Sequence, residues 1–100
     1  YLFQHGERRL AYLTDCKFPL PVALPWLQGV DILVLGALWS TEWTHPGHLN
    51  LAEAIAMSQQ LAAKQTYFIH LTHWIGLHAE ASPALPPGMT LAYDGLTLTL

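Results

Sequence analysis

Apolar positions along the chain recur with the spacing of strands in its first third and again near residue 66. The run at 31–36 is almost continuously apolar, which is typical of a strand covered on both faces. Tyr1 to Phe3 and Leu10 to Leu13 are short β-prone segments, and Gly6 between them can supply a turn, so they predict a hairpin. Thr66 to Ile69 is β-branched and aromatic and predicts another strand.

Helical spacing replaces strand spacing in the middle of the chain, where Asn50 to Lys64 predicts the main helix. Asn50 can cap it, and Glu53 three residues later completes a capping box. Apolar and small residues recur on one face, which would pack on a sheet: Leu51, Ala54, Ile55, Ser58, Leu61 and Ala62. A short helix is predicted over His73 to Ala81. Three prolines between Phe18 and Gly29 exclude a long helix there.

The last segment, Met89 to Leu100, predicts a hairpin. Asp94 and Gly95 suit a type I′ turn. Alternation of leucine and threonine from Leu96 onward fits a strand with one buried face. The elements together predict an α/β fold in one domain, residues 1–100, with a mixed sheet, one main helix on its outer face and a C-terminal hairpin.

The chain carries few charged residues for its apolar content. Hydrophobic residues make up 52% and charged residues 11%, less than half the ordinary charged share. Such a composition suits a body that packs against something else. The formal charge is -3, and Arg8 and Arg9 are the largest basic cluster, so a surface that follows nucleic-acid phosphates is not expected.

The single cysteine and the lengths of the apolar runs bear on where in the cell the protein is found. Cys16 has no partner for an internal disulfide, so the cytoplasm is the default expectation. No apolar run approaches the roughly 20 residues that span a bilayer, so we expect no membrane partner. The chain opens at Tyr1, already in a strand-like segment with no turn before it, and we therefore expect it to be a piece of a longer protein.

Histidine is the most informative residue type, because four of six histidines fall in two groups, His45 with His48 and His70 with His73. Both groups lie beside a predicted strand or helix end, where loops bring side chains together while the sheet holds them still. Asp15 follows a third strand. Imidazole and carboxylate are the ligands of hydrolytic zinc, iron and manganese centres, so these residues are candidates for a metal site.

Each candidate also has a simpler structural interpretation. A single loop histidine is more often solvated or hydrogen-bonded than a ligand, and this interpretation is favoured for His5 and His78. Asp15 could cap a turn. Trp39 and Trp43 are more often packing residues than a substrate platform.

Three sequence strings carry a resemblance that favours the functional interpretation of these residues: YLTD at 12–15, HPGHLNLAEA at 45–54 and HLTH at 70–73. Together with weaker matches over nearly the whole chain, they resemble the C-terminal part of metal-dependent hydrolases with the metallo-β-lactamase fold. The most similar branch contains the cyclic phosphodiesterases of phosphonate breakdown. The resemblance implies that the chain forms one half of an αββα sandwich.

The same resemblance implies roles for individual residues. Asp15 would bridge two divalent metal ions, Zn or Mn, and His70 would be the last metal ligand. His48 would face the substrate and bind or protonate the departing group, and His73 would lie beside His70, so both are catalytic candidates. His45 would have a supporting role. We expect Asp15 and His70 to lie within about 10 Å of each other, since two ions each held at about 2 Å can reach no further.

The implied activity is hydrolysis of a small phosphodiester by a metal-bound hydroxide. The family's main ligand string, His-x-His-x-Asp-His, does not occur in the chain. One carboxylate and one imidazole cannot fix a two-metal centre, so the isolated chain is expected to be inactive. We expect its partner to be the missing N-terminal half or a second copy. The alternatives are a thioester, lactone or RNA hydrolase of the same fold, or a non-catalytic interaction or assembly domain.

Overall fold

The computed structural model describes residues 1–40 and 42–100, and its centre is a five-stranded sheet in the order β1-β2-β3-β4-β5. The strands are β1 Leu2–His5, β2 Arg8–Leu13, β3 Ile32–Gly36, β4 Gln65–Ile69 and β5 Met89–Leu91. β1 pairs antiparallel with β2, whereas β2, β3, β4 and β5 pair parallel in succession. The predicted α/β class, the mixed sheet and the first hairpin are confirmed.

One face of the sheet carries the core. Leu33, Leu35 and Phe68 have no exposed surface, because alternation along β3 and β4 directs them to the same side. Helix α1, Leu24–Leu27, contributes Leu27 to this cluster, and helix α2, Leu51–Gln60, contributes Ala54. The main helix therefore covers the core face, as its apolar stripe predicts.

The predicted capping box fixes the start of α2. The Asn50 side chain accepts a hydrogen bond from Glu53 N at 2.8 Å, and the Glu53 carboxylate accepts one from Asn50 N at 3.0 Å. The helix was predicted to reach Lys64, but it ends at Gln60. Ala62 has a φ of 51°, in the left-handed region, so the chain turns away there and enters β4.

The predicted helix over His73 to Ala81 is wrong as a single element. A 3-10 turn, His73–Ile75, is followed by a four-residue helix α3, His78–Ala81. Gly76 between them has a φ of 94°, which no helix accommodates and which glycine adopts readily because it has no Cβ. None of the helices in the described ranges is long and apolar enough to cross a membrane.

The prediction of a C-terminal hairpin is also wrong. β5 pairs parallel with β4, and 96–100 form no strand in the described structure. A turn does occur, since Leu96 N donates to Tyr93 O at 3.1 Å. Gly95 has a φ of 87° but Asp94 has no positive φ, whereas a type I′ turn needs both. The chain is therefore not folded back along β5, although alternate leucines of this segment remain half-buried.

The opposite face of the sheet is less completely buried than the core face. The register sets Tyr12, Val34 and Tyr67 side by side on it; Val34 is buried between the two tyrosines, whereas Tyr12 is 37% exposed. Further large apolar side chains are exposed on the hairpin and the proline-rich segment: Tyr1, Phe3, Phe18, Leu20, Val22 and Trp26. The chain therefore presents apolar surface well beyond its own core.

Asp31 joins three strands at the start of the parallel segment. Its carboxylate accepts hydrogen bonds from Arg9 N and Lys64 Nζ, each at 2.8 Å. Its backbone pairs with both neighbours as well, through Arg9 O at 3.0 Å and Gln65 N at 3.1 Å. The hydrogen bonds from the Lys64 ammonium and then from the Arg9 backbone hold the pKa of Asp31 below its ordinary value. This residue therefore aligns β2, β3 and β4.

We predict that Asp31→Asn destabilises the protein at neutral pH and that the difference disappears in acid. Because the folded-state pKa is lowered, the stabilisation is complete above the ordinary value of 3.8 and is lost as pH falls through the folded-state pKa. Urea denaturation of both proteins from about pH 7 to about pH 3 measures this. Asp94→Asn, at an exposed turn, is the matched control. A stability difference that grows toward acid would contradict the assignment.

Candidate metal centre

The parallel strands bring three polar residues to one edge of the sheet. Asp15 lies two residues after the end of β2, and His70 directly follows β4. The chain that leaves β3 leads to His48, shortly before α2. Because β2, β3 and β4 are parallel and in register, the segments after their carboxyl ends start from the same edge.

The three side chains approach within the range of a shared ion. Asp15 Oδ1 is 3.2 Å from His70 Nε2 and 3.7 Å from His48 Nδ1. One ligand atom of each residue lies within 4.8 Å of the others. Two atoms that each lie about 2.0 to 2.2 Å from one ion are at most about 4.4 Å apart, so the two contacts of Asp15 Oδ1 fit a divalent metal ion. The predicted proximity of Asp15 and His70 is confirmed, and His48 lies with them.

Backbone strain coincides with two of these residues. Asp15 has a φ of 50° and His70 a φ of 60°, and Ala62 is the other non-glycine residue with positive φ in the described ranges. Such a conformation costs roughly 1 to 2 kcal/mol for an L-residue. The surrounding fold holds both residues there, and strain of this kind collects at functional sites.

The cluster is open on one side. The side chain of His48 is 27% exposed, that of His70 43% and that of Asp15 63%. Among the residues that the structure describes, the second carboxylate oxygen of Asp15 accepts only a long hydrogen bond of 3.3 Å, from Thr14 Oγ1. The carboxylate can therefore accept further interactions, and additional ligands or a substrate can reach it.

A hollow of about 320 Å³ adjoins the cluster between the ends of β4 and β5. Its lining comprises Ile69, His70, Leu71, Ala92, Tyr93 and Asp94. This volume is at the lower end of the range for small-molecule sites. A small group could thus lie directly beside His70.

His45 supports the cluster without joining it. Its ring centroid is 4.9 Å from that of His48, and its Nδ1 accepts a hydrogen bond from Gly47 N at 3.0 Å. Lys17 Nζ donates to the carbonyl oxygen of His45 at 2.7 Å and forms an ion pair with Glu53 at 3.0 Å. Lys17 was not among the site residues predicted from the sequence, since its only local signal is its position two residues after Asp15.

The structure leaves the remaining histidines outside the cluster. His73 opens the 3-10 turn, and its ring packs 4.3 Å from that of Trp74, so its catalytic role stays a prediction. His78 Nε2 is 2.9 Å from the carbonyl oxygen of Leu91, which favours the structural interpretation. His5 is an exposed residue at the end of β1.

The tryptophans pack edge to face beside this region. Ring centroids are 6.0 Å apart for Trp39 and Trp43 and 5.5 Å apart for Trp43 and Trp74. Trp39 Nε1 also donates to the carbonyl oxygen of Trp43 at 2.8 Å. These contacts agree with the packing role that was favoured for Trp39 and Trp43.

The chain is similar to a protein family and to solved structures. A family model described as "Beta-lactamase superfamily domain" matches residues 1–71. A solved structure described as a new diphosphatase from the PhnP family is 36% identical, with a TM-score of 0.82 over 99% of this chain and 41% of that one. The metallo-beta-lactamase fold protein YhfI from Bacillus subtilis is 21% identical, with a TM-score of 0.76 over 95% of this chain and 41% of that one. The YhfI likeness concerns the fold alone.

A curated relative has a different kind of name. An octanoyltransferase from Porphyromonas gingivalis is 32% identical over 94 residues, which are 94% of this chain and 18% of that protein. The chain thus spans less than half the length of the two solved relatives and about a fifth of the curated one. The names of these relatives describe whole proteins of which the chain matches a part.

Gly36, the last residue of β3, lies between two of the candidate ligands. A Cβ added there would meet Asp15 N and His70 Cβ, both at 3.9 Å, which is ordinary van der Waals contact. A methyl group can therefore be accommodated, and a larger side chain would add atoms beyond a Cβ that already contacts both residues.

We predict that metal affinity falls along the series Gly36→Ala, Gly36→Val and Gly36→Leu. Alanine should leave affinity nearly unchanged, and the larger side chains should lower it at least about tenfold by separating the ligands. Titration of the full-length protein with Zn²⁺ or Mn²⁺, alongside its melting temperature, measures the effect. Equal affinity across the series would show that Gly36 does not border the binding site.

Proposed function

Because the chain belongs to the beta-lactamase superfamily, we propose that it supplies part of the active site of a metal-dependent hydrolase that cleaves a small phosphodiester or diphosphate. The cluster of Asp15, His48 and His70 is the observation that carries this proposal. The fold is that of metallo-β-lactamase-type hydrolases. A 36% identical solved relative is described as a diphosphatase, which supports phosphate ester or anhydride chemistry over the alternatives.

Asp15 and His70 are the proposed metal ligands. Asp15 Oδ1 faces both imidazoles, and its other oxygen is nearly free, so this carboxylate is suited to bridging two ions. His70 Nε2 is suited to terminal coordination. Imidazole with carboxylate fits Zn²⁺ and Mn²⁺ alike. When bound, such ions lower the pKa of a water molecule and neutralise charge on a phosphoryl oxygen.

His48 is the proposed proton donor to the departing oxygen. Its side chain is the least exposed of the three, at 27%, and its Nδ1 lies 3.7 Å from Asp15 Oδ1. Histidine is the side chain that most often transfers protons in catalysis. We propose that His73 acts from outside the cluster, on the substrate or on the turn that bears His70.

The hollow beside His70 suggests the size of the substrate. At about 320 Å³ it suits one small organic group, and the chain has only four Lys and Arg residues to contact a nucleic-acid backbone. We propose a small-molecule substrate and a cytoplasmic protein. Thioester, lactone and RNA hydrolysis remain the alternatives within the fold.

A two-ion centre needs more ligands than these three residues offer. We therefore propose that the isolated chain binds metal weakly and turns over no substrate, and that the rest of a longer protein supplies the other ligands. The competing proposal is a non-catalytic interaction or assembly domain. A His-x-His-x-Asp-His string upstream in the same gene would favour the enzyme, and its absence would favour the interaction domain.

We predict that Asp15→Asn in the full-length protein abolishes hydrolysis of a chromogenic phosphodiester and leaves the fold intact. An amide of nearly the same shape gives no charge to the ions, so transition-state stabilisation should fall by several kcal/mol, which means several orders of magnitude in rate at about 1.4 kcal/mol per tenfold. Metal stoichiometry, melting temperature and turnover are measured on the same variant. If Asp15 only caps a turn, stability falls by about 0.5 to 2 kcal/mol and metal content is unchanged.

His48→Gln is the matched variant for Asp15→Asn. A proton donor that is not a ligand can be replaced with loss of turnover while the metal is retained. Loss of metal together with turnover would instead make His48 a third ligand. An Asp15→Asn protein with full metal and near-normal turnover would remove Asp15 from the site.

We predict that the chain alone self-associates. Compact monomers seldom expose contiguous apolar patches beyond a few hundred Å², and this chain exposes Phe18 by 75%, Val22 by 76% and Trp26 by 66%. Sedimentation velocity over a wide concentration range should show dimers or larger species, and the double variant Val22→Lys, Trp26→Glu should shift them toward monomer. A compact monomer at all concentrations would contradict the prediction.

A further inference from the structure

The Lys17 side chain crosses between the two segments that carry Asp15 and His48. Its ammonium group donates to the carbonyl oxygen of His45 at 2.7 Å and to Glu53 Oε1 at 3.0 Å. Only 14% of the Lys17 side chain is exposed, so this contact is far less solvated than an ordinary surface ion pair. One cation therefore joins the chain after β2 to the segment that precedes α2.

The acceptor of this bridge is itself anchored. Glu53 uses Oε1 for Lys17 and Oε2 for Asn50 N, and its own N–H donates to Asn50 Oδ1. Asn50 Nδ2 in turn donates to the carbonyl oxygen of Trp43 at 3.0 Å. The Asn50 backbone hydrogen bond and then the Lys17 ammonium lower the pKa of Glu53, which keeps the carboxylate ionised. Lys17 thus connects the Asp15 segment to the rigid first turn of a helix.

We propose that Lys17 is a positioning residue that sets the separation of His48 from Asp15, an inference that rests on the proposed function. His48 lies between two anchored points of its segment, the His45 carbonyl held by Lys17 and the Asn50 amide held by Glu53. In the described ranges, Lys17 makes the only side-chain hydrogen bond between residues 14–20 and residues 42–49. The side chains of Asp15 and His48 also approach each other across these two segments, at 3.7 Å.

Loss of this bridge frees one end of the His48 segment without removing a candidate ligand. A misplacement of about 1 Å at a reacting group can cost about a hundredfold in rate. Lys17→Met should therefore lower kcat about 10-fold to 100-fold while KM and metal content change little. Lys17→Arg retains a cation with several donors and should recover most of the loss.

The experiment uses the full-length protein with Lys17→Met, Lys17→Arg and the matched control Lys64→Met. Lys64 also forms an ion pair, with Asp31 at 2.8 Å, at the opposite end of the parallel strands, so Lys64→Met reports a general loss of stability rather than a local loosening of 42–50. Hydrogen exchange of the metal-free protein is followed in a peptide covering 42–50, and kcat, KM and metal stoichiometry are measured on the loaded protein. Exchange in this peptide should rise about tenfold in Lys17→Met, and should stay unchanged in Lys64→Met and nearly unchanged in Lys17→Arg.

Several outcomes overturn the inference. Unchanged exchange and unchanged kcat in Lys17→Met would overturn it. Losses of kcat and of exchange protection that parallel the drop in melting temperature in both Lys17→Met and Lys64→Met would also overturn it. If Lys17→Met does not fold, Glu53→Gln, which removes the charge that anchors Lys17, must show the same changes in smaller degree. If the unsubstituted protein neither binds metal nor turns over, the proposed function fails, and the exchange data alone still decide whether Lys17 positions the segment.

Discussion

The parallel alignment of β2, β3 and β4 is the constraint on which the rest of the structure depends. Register pairs Leu13 with Leu35 and Gly36 with Ile69, so the residues that follow each strand leave the sheet at the same level. Asp31 sets this alignment at the opposite end through both its backbone and its carboxylate. A shift of one residue would reverse the faces of a strand and move Asp15 or His70 away from the other.

Most of the few cationic side chains in the chain make structural contacts. Arg9 donates to the carbonyl oxygens of Trp26 and Gln28, Lys17 binds the His48 segment, and Lys64 binds Asp31. Three of the chain's four Lys and Arg residues are therefore committed to internal contacts. Few remain to neutralise a phosphate group, and under the proposed function that charge must be met by metal ions. A low content of cationic side chains is therefore compatible with a phosphate-containing substrate if metal ions neutralise its charge.

Local patterns predicted the elements whose causes are local. The apolar run of β3 and the Asn50 capping box depend on neighbours in sequence, and both are confirmed. The breaks at Ala62 and Gly76 were missed, because left-handed backbone there depends on where the chain must go next. The turn predicted at Asp94 and Gly95 is present, but it is not of type I′ and no strand follows it. The edge residues Asp15, His48 and His70 could be proposed from strand ends and resemblance. Lys17 could not, since its partners are 28 and 36 residues away.

The open cluster and the partly exposed sheet face have the same physical origin under the proposed function. A sandwich needs a second layer over Tyr12, Val34 and Tyr67, and a two-ion centre needs ligands beyond Asp15, His48 and His70. One additional half of the fold would satisfy both needs, because the site lies at the edge of the sheet whose free face it would cover. Metal binding and burial of that face are then coupled, because the same additional half supplies both the missing ligands and the second layer.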